Sequence, residues 1–257
     1  MSAVLLGHRI YGPEDAPVLL LGESLGTTAS MWEPQIQALR GSFRLIAFDH
    51  RGHGSSPSPP TPYAIADLGA DVVALMDHLG VERASYAGVS IGGMVGMWLA
   101  ANAPQRLDRL VVICTSAHAP PASRWLDRAA AVRSAGTTEV IADAVVAGWF
   151  TPEWAQAHPE AVAAHRAMIV ATDPEGYCGC CEALANMDLR DDLPRITAPT
   201  LVIGGLRDLA LPSEHQRLIA DAVSGARLEL IEDAAHIASV QQPETINRLI
   251  EEHLRHE

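Results

Sequence analysis

The sequence predicts an α/β domain with a mostly parallel, doubly wound sheet, and a helical cap inserted into that domain. Two observations predict the domain. Short apolar runs alternate with helix-length segments, and a G-x-S-x-G motif lies between one such run and an apolar helix. A third predicts the insertion, because the alternation stops between about residues 119 and 194. We therefore assign residues 1–118 and 195–257 to the core and 119–194 to the cap.

Six apolar runs have the length and composition of buried strands. They lie at residues 18–21, 43–48, 84–87, 110–114, 201–203 and 228–231. Between and after them, segments 64–78 and 243–254 repeat apolar residues at helical spacing, which predicts helices that cover the sheet. Strands joined through crossover helices run parallel, so we expect a mostly parallel sheet.

The segment assigned to the cap is rich in alanine and helical in pattern throughout. It includes EVIADAVVAGWF and AVAAHRAMIV, and it contains no strand-like run. Proline interrupts regular elements, and prolines lie at both edges of the segment, at Pro120 and Pro121 and at Pro194 and Pro199. The pattern therefore predicts a helical insertion.

Composition excludes several classes of protein. The chain has 257 residues and a net charge of −13, which argues against a nucleic-acid partner. Its N-terminus lacks the pattern of a signal peptide, and no apolar stretch approaches the roughly 18 residues of a membrane span, so we expect a cytoplasmic protein. The cysteines, Cys114, Cys178, Cys180 and Cys181, lack the spacing of metal ligands. We interpret them as packing residues and expect neither a metal nor a cofactor.

The motif Gly88-Val89-Ser90-Ile91-Gly92 carries the first chemical signal. A sharp strand-to-helix turn strains the backbone at its central residue, and the glycines remove side chains that would collide there. Ser90 is then held outward as a candidate nucleophile, and the N–H of Ile91 lies at the helix N-terminus, where it favours negative charge. The alternative is a glycine-rich turn whose serine only caps the helix.

A serine nucleophile needs a base and an acid, and both follow later strands. Asp208 comes after the strand LVIGG, and His236 lies in the loop after LELI. The order Ser90, Asp208, His236 is the order used by enzymes with this architecture. An aspartate alone in a loop is usually a turn residue or a cap, and one histidine among eleven usually has no special role, so it is their joint placement after consecutive strands that supports the prediction. Asp233 is the alternative acid, but it lies in the same loop as the histidine.

Several segments carry a family resemblance. DHRGHGSS, GVSIGG, PTLVIGGLRD and DAAHIA match, in order, recurring segments of the α/β-hydrolase fold superfamily. Within it, SLGTTASMWEPQ, GGMVGMWLAANAP, GWFTPEW and GYCGCCEALANMDLR resemble the 3-oxoadipate enol-lactone hydrolases. The resemblance implies a helical cap over the site and a carboxylated enol lactone as substrate.

The resemblance also implies an oxyanion hole, and beside it this sequence differs from the lactonases at one position. The backbone N–H of Leu25 aligns with the second oxyanion donor, beside that of Ile91. The lactonases generally have Asn where this chain has Glu23. An ionised carboxylate facing the oxyanion would oppose its charge, so we expect Glu23 to point away, to pair with a base or to stay protonated. We favour a structural pairing, with Arg51 or His53 as partner.

A carboxylated substrate requires a local cation in this acidic protein. The predicted cap offers Arg124, Arg128, Arg133 and Arg166, and Trp125 and Trp149 can form an apolar lid. Arginine grips a carboxylate with two parallel hydrogen bonds. Our candidate substrate-binding residues are Arg124, Trp125, Arg133 and Trp149. The alternative is that these arginines are solvated surface residues.

The leading hypothesis is a serine hydrolase that opens 3-oxoadipate enol-lactone through an acyl-enzyme in aromatic-acid catabolism. The alternatives among enzymes are another cap-bearing lactonase or esterase, a C–C bond hydrolase and a perhydrolase. The non-enzymatic alternative is a ligand-binding receptor on the same fold. We expect a small-molecule lactone or ester as the partner, and the sequence leaves open whether the protein is a monomer or a homo-oligomer.

Overall fold

A seven-stranded sheet forms the centre of the computed structural model, which describes residues 2–255. The strands are β1 (His8–Tyr11), β2 (Val18–Gly22), β3 (Arg44–Phe48), β4 (Ala84–Val89), β5 (Leu107–Ile113), β6 (Thr200–Gly205) and β7 (Arg227–Ile231). Their spatial order is β1-β3-β2-β4-β5-β6-β7. Only the β1–β3 pair is antiparallel. The sheet confirms the predicted fold class.

Eleven α-helices accompany the sheet in the described part of the chain. They are α1 (Glu33–Leu39), α2 (Ile65–His78), α3 (Ile91–Asn102), α4 (Ala122–Ala135), α5 (Glu139–Val146), α6 (Pro152–Ala157), α7 (Pro159–Ala171), α8 (Pro174–Asn186), α9 (Ser213–Ala222), α10 (Ala238–Gln241) and α11 (Pro243–Arg255). Helices α4 to α8 lie between β5 and β6, and we call them the cap helices. Within residues 2–255, no helix has the length and apolar character needed to cross a bilayer.

The sheet separates two apolar layers. Alternate residues of a strand point to opposite faces. In β2, Leu20 packs into the layer that includes α2 and α3, while Leu19 and Leu21 pack into the layer that includes α1 and α11. The helices therefore cover both faces. The carboxyl ends of the parallel strands share one edge, where the loops that carry functional residues meet.

The antiparallel strand β1 was not predicted. Its sequence, HRIY, has no apolar run, and its residues are exposed or half-buried because it lies at the edge of the sheet. An edge strand contacts neighbours on one side only, so the strong apolar pattern of the central strands is not required of it.

The cap helices are fixed to the core by a close approach of two backbones. A Cβ at Gly52 would lie 2.3 Å from Cα of Gly176 in α8, and Gly52 has a φ of +76°. Glycine at both positions lets α8 rest on the loop after β3. Helix α8 also packs on α4, where the Cys178 thiol donates to the carbonyl of Ala129 at 3.3 Å. The cysteines named above are all buried with free thiols.

Candidate active site

Ser90 stands on a strained turn between β4 and α3. Its φ of 55° and ψ of −117° lie in a region that residues with a side chain rarely adopt. A side chain at either flanking glycine would collide with neighbouring backbone atoms. A Cβ at Gly88 would lie 2.3 Å from the Gly92 carbonyl carbon, and one at Gly92 would lie 2.3 Å from the Gly22 carbonyl oxygen. The backbone therefore holds the Ser90 side chain at the carboxyl edge of the sheet.

His236 and Asp208 form a buried acid–base pair. The His236 Nδ1–H donates to Asp208 Oδ2 at 2.8 Å. The other oxygen of Asp208 accepts the N–H groups of Ala210 and Leu211 at 2.8 and 3.0 Å, which fixes the carboxylate. This arrangement leaves Nε2 of His236 to act as a base. The alternative acid, Asp233, is exposed.

Ser90 and His236 open into one small cavity of about 140 Å³ between the sheet edge and the cap helices. Core residues form its floor and cap residues form its walls. The lining residues are Ser24, Leu25, Ser90, Arg124, Trp125, Arg128, Ala144, Val145, Gly148, Trp149, Leu209, Ala210, Leu211 and His236. The structure thus brings together a hydroxyl, a base and two guanidinium groups.

Ile91 and Leu25 are the residues whose backbone N–H groups the sequence predicts as oxyanion donors. Ile91 is the first residue of α3, so its N–H has no acceptor within the helix. Leu25 lies in the loop after β2 and lines the cavity. The next residue, Gly26, donates its N–H to Nε2 of His53 at 2.9 Å, which anchors this loop. Burial lowers the pKa of His53, and the neutral ring that results is the form that can accept this hydrogen bond.

Glu23 does not pair with Arg51 or His53, so our favoured expectation for it is wrong. Its side chain is fully buried. Oε1 accepts the backbone N–H of His50 at 2.5 Å, and Oε2 has no partner among the described residues. Burial raises the pKa of Glu23 well above its usual value, and the negative charge of the nearby Asp49 raises it further. Burial and Asp49 therefore both favour the protonated, neutral form of Glu23.

Arg51 is unavailable to Glu23 because an acid on α2 reaches it first. Its Nε and Nη2 donate to the two carboxylate oxygens of Asp71 at 2.6 and 2.7 Å, and both side chains are fully buried. A bidentate pair of this kind satisfies both charges inside the protein. Asp71 is twenty residues away in sequence, and only the packing of α2 brings it to Arg51.

Three of the four predicted cap residues line the cavity: Arg124, Trp125 and Trp149. Arg128, which we did not select, lines it as well. The guanidinium carbons of Arg124 and Arg128 lie 5.0 and 5.2 Å from the centroid of the Trp125 ring. Arg124 donates to the carbonyl of Ala210. Within residues 2–255, neither arginine has a carboxylate at ion-pair distance.

The structure does not bring Arg133 to this cavity. Its guanidinium binds Glu182 at 2.5 Å and Glu175 at 3.1 Å on the outer side of α4. Helical geometry distinguishes the arginines. Residues four apart differ by about 40° around a helix and residues nine apart by about 180°, so Arg124 and Arg128 share a face and Arg133 opposes Arg124. These angular positions can be calculated from the sequence, and they would have favoured Arg128 over Arg133 as a substrate-binding residue.

The fold and the site define an α/β hydrolase. Residues 17–243 match the family described as alpha/beta hydrolase fold, and the chain belongs to that family.

Within this family, the chain is similar to proteins named as enol-lactonases and to a protein named as a carbamate hydrolase. The chain is 39% identical to 3-oxoadipate enol-lactonase 2 of Acinetobacter baylyi, with 96% of this chain and 92% of the relative covered. The crystal structure of the enol-lactonase from Burkholderia xenovorans LB400 is 39% identical, with a TM-score of 0.95 and 98% and 96% of the two chains covered. A protein of Stutzerimonas stutzeri, provisionally named carbamate hydrolase RutD, is 32% identical over 93% of this chain and 92% of its own. The chain is thus a hydrolase similar to the enol-lactonases, which confirms the family resemblance seen in its sequence.

Proposed function

We propose that the protein is a serine hydrolase that opens a carboxylated enol lactone, converting 3-oxoadipate enol-lactone to 3-oxoadipate. One observation supports this proposal most strongly. Ser90 and the base His236 line the same cavity as two arginines that lack acidic partners. A nucleophile and a base suit an ester carbonyl, and guanidinium groups without a carboxylate partner suit the carboxylate of a substrate. The likeness to proteins named enol-lactonases supports the same substrate.

The reaction would proceed in two stages. Ser90 Oγ attacks the lactone carbonyl while His236 takes its proton, and Asp208 holds the imidazole in the required tautomer. The N–H groups of Leu25 and Ile91 stabilise the oxyanion. The ring C–O bond then breaks, the leaving enol oxygen receives the proton from His236, and the enol ketonises. In the second stage water, deprotonated by His236, attacks the acyl-enzyme and releases Ser90 and the new carboxylate.

The segment 119–194 would act as the cap in this reaction. Arg124 and Arg128 would bind the carboxylate of the substrate, and Trp125 would pack against its carbon chain while excluding water. Trp149 would close the opposite wall of the cavity. The small size of the cavity suits a compact substrate.

Turnover of the lactone tests the proposal. Purified protein is added to 3-oxoadipate enol-lactone, and loss of the conjugated chromophore is followed beside Ser90→Ala. We expect rapid multiple turnover that Ser90→Ala abolishes, and an about 10⁴-fold lower kcat in Asp208→Asn. If the protein ignores the lactone but cleaves a simple activated ester, the serine hydrolase stands and the lactone assignment falls. Ligand binding without turnover, unchanged in Ser90→Ala, would identify a receptor instead.

A further inference from the structure

Gln241 is a buried amide that the proposed mechanism does not use. It is the last residue of α10, five positions after His236. Its Oε1 accepts the N–H groups of Ala235 at 3.0 Å and of Thr151 at 3.4 Å. Its Nε2 donates to the Thr151 hydroxyl at 2.8 Å and to the Asp233 carbonyl at 3.0 Å. These four hydrogen bonds fill the capacity of a primary amide.

The partners of Gln241 belong to two different parts of the molecule. Asp233 and Ala235 precede His236 in the loop after β7. Thr151 lies between α5 and α6, two residues after the cavity wall residue Trp149. A backbone hydrogen bond makes a second link between the same two segments, because the N–H of Ile237 donates to the carbonyl of Trp149 at 3.0 Å.

We propose that Gln241 is a positioning residue that holds the loop of His236 and the Trp149 wall of the cap in one fixed relation. The loop has no regular structure around His236, so its backbone groups depend on partners from elsewhere. Gln241 supplies two of them on the N-terminal side of the histidine, while the N–H of Ile237 on the other side donates to Trp149. The inference rests on the proposed function, because it assumes that His236 activates Ser90.

The position requires an amide. A hydrocarbon of the same length would leave two N–H groups, a hydroxyl and a carbonyl without this partner inside the protein. A carboxylate would keep both acceptor bonds but lose the donor to the Asp233 carbonyl. The neighbouring Gln242 also donates to that carbonyl at 3.0 Å, but from an exposed position and with no bond to the cap. Gln242 therefore offers a matched control.

The test measures how readily Ser90 reacts, independently of the lactone. A fluorophosphonate labels an activated serine with loss of fluoride, and its labelling rate is measured well below the Tm of each variant. We expect Gln241→Met to lower this rate about 10- to 100-fold, as for a small misplacement of a catalytic group. For a neutral activated ester, kcat should fall while KM changes little. Gln241→Glu, which keeps the acceptor bonds, should recover part of the rate, and Gln242→Met should react like the wild type.

Each outcome decides the proposal. A folded Gln241→Met that labels at the wild-type rate overturns it, since a merely structural residue would change only Tm. If Gln241→Met does not fold, Thr151→Val carries the test, because it removes one of the four bonds and should slow labelling several-fold; an unchanged rate overturns the proposal. Failure of the wild-type protein to label at all would instead refute the proposed function, and the role of Gln241 with it.

Discussion

At the scale of single residues, Glu23 is a buried carboxyl group with no basic side chain as partner among the described residues. Its nearest basic candidate, Arg51, is held by Asp71, and the nearby His50 has its pKa lowered by burial to about 3, so it brings no positive charge. The negative charge of Asp49 further raises the pKa of Glu23. A protonated Glu23 would not oppose the negative charge of the oxyanion that we propose near Leu25.

Replacing Glu23 by Gln should therefore change the pH dependence of stability. Because burial raises the pKa of Glu23 in the folded state, the folded wild type holds this proton to a higher pH than the unfolded state, which releases it above about pH 4.5. The free energy of unfolding of the wild type should then fall relative to that of Glu23→Gln by about 1.4 kcal/mol per pH unit as pH rises above that value, until the folded protein also ionises. Urea unfolding of both proteins across this range measures the difference. Parallel stability curves would show that Glu23 is ionised in the folded protein.

At the scale of elements, the position of an arginine around the axis of helix α4 decides whether it faces the cavity or the outer surface. Arg124 and Arg128 point into the cavity, while Arg133 lies among acids on the outer side. The sequence identified the cations and the helix, but choosing residues by their nearness to the start of the cap ignored the direction of each side chain.

Arg128→Met should weaken binding of the carboxylated lactone specifically. A charged hydrogen bond contributes about 1.5–3 kcal/mol, so KM should rise about 10- to 100-fold for the lactone. KM for a neutral activated ester should stay near that of the wild type, since that substrate has no carboxylate. Arg133→Met is the matched control, and it should leave both KM values unchanged because an exposed ion pair outside the cavity contributes little. Equal increases of KM for both substrates in Arg128→Met would contradict a role in carboxylate binding.

At the scale of the whole molecule, features with a local sequence pattern were predicted from the sequence. Contacts between residues far apart in the chain were not. Six strands, the helical segment between β5 and β6, and the order Ser90, Asp208, His236 all follow local patterns. The edge strand β1 lacks such a pattern. The Arg51–Asp71 pair and the Gln241–Thr151 contact depend on which helix or cap segment packs against which loop, and a single sequence does not record that.

In the proposed reaction, Ser90 forms a covalent intermediate with the lactone. The most direct test mixes the protein with 3-oxoadipate enol-lactone, quenches with acid after milliseconds and measures the mass of the peptide that contains Ser90. Because ring opening keeps the leaving oxygen on the same molecule, we expect this peptide to gain the full mass of the lactone. The gain should be absent in Ser90→Ala. Turnover that continues in Ser90→Ala, with no adduct on the wild-type peptide, would contradict the account.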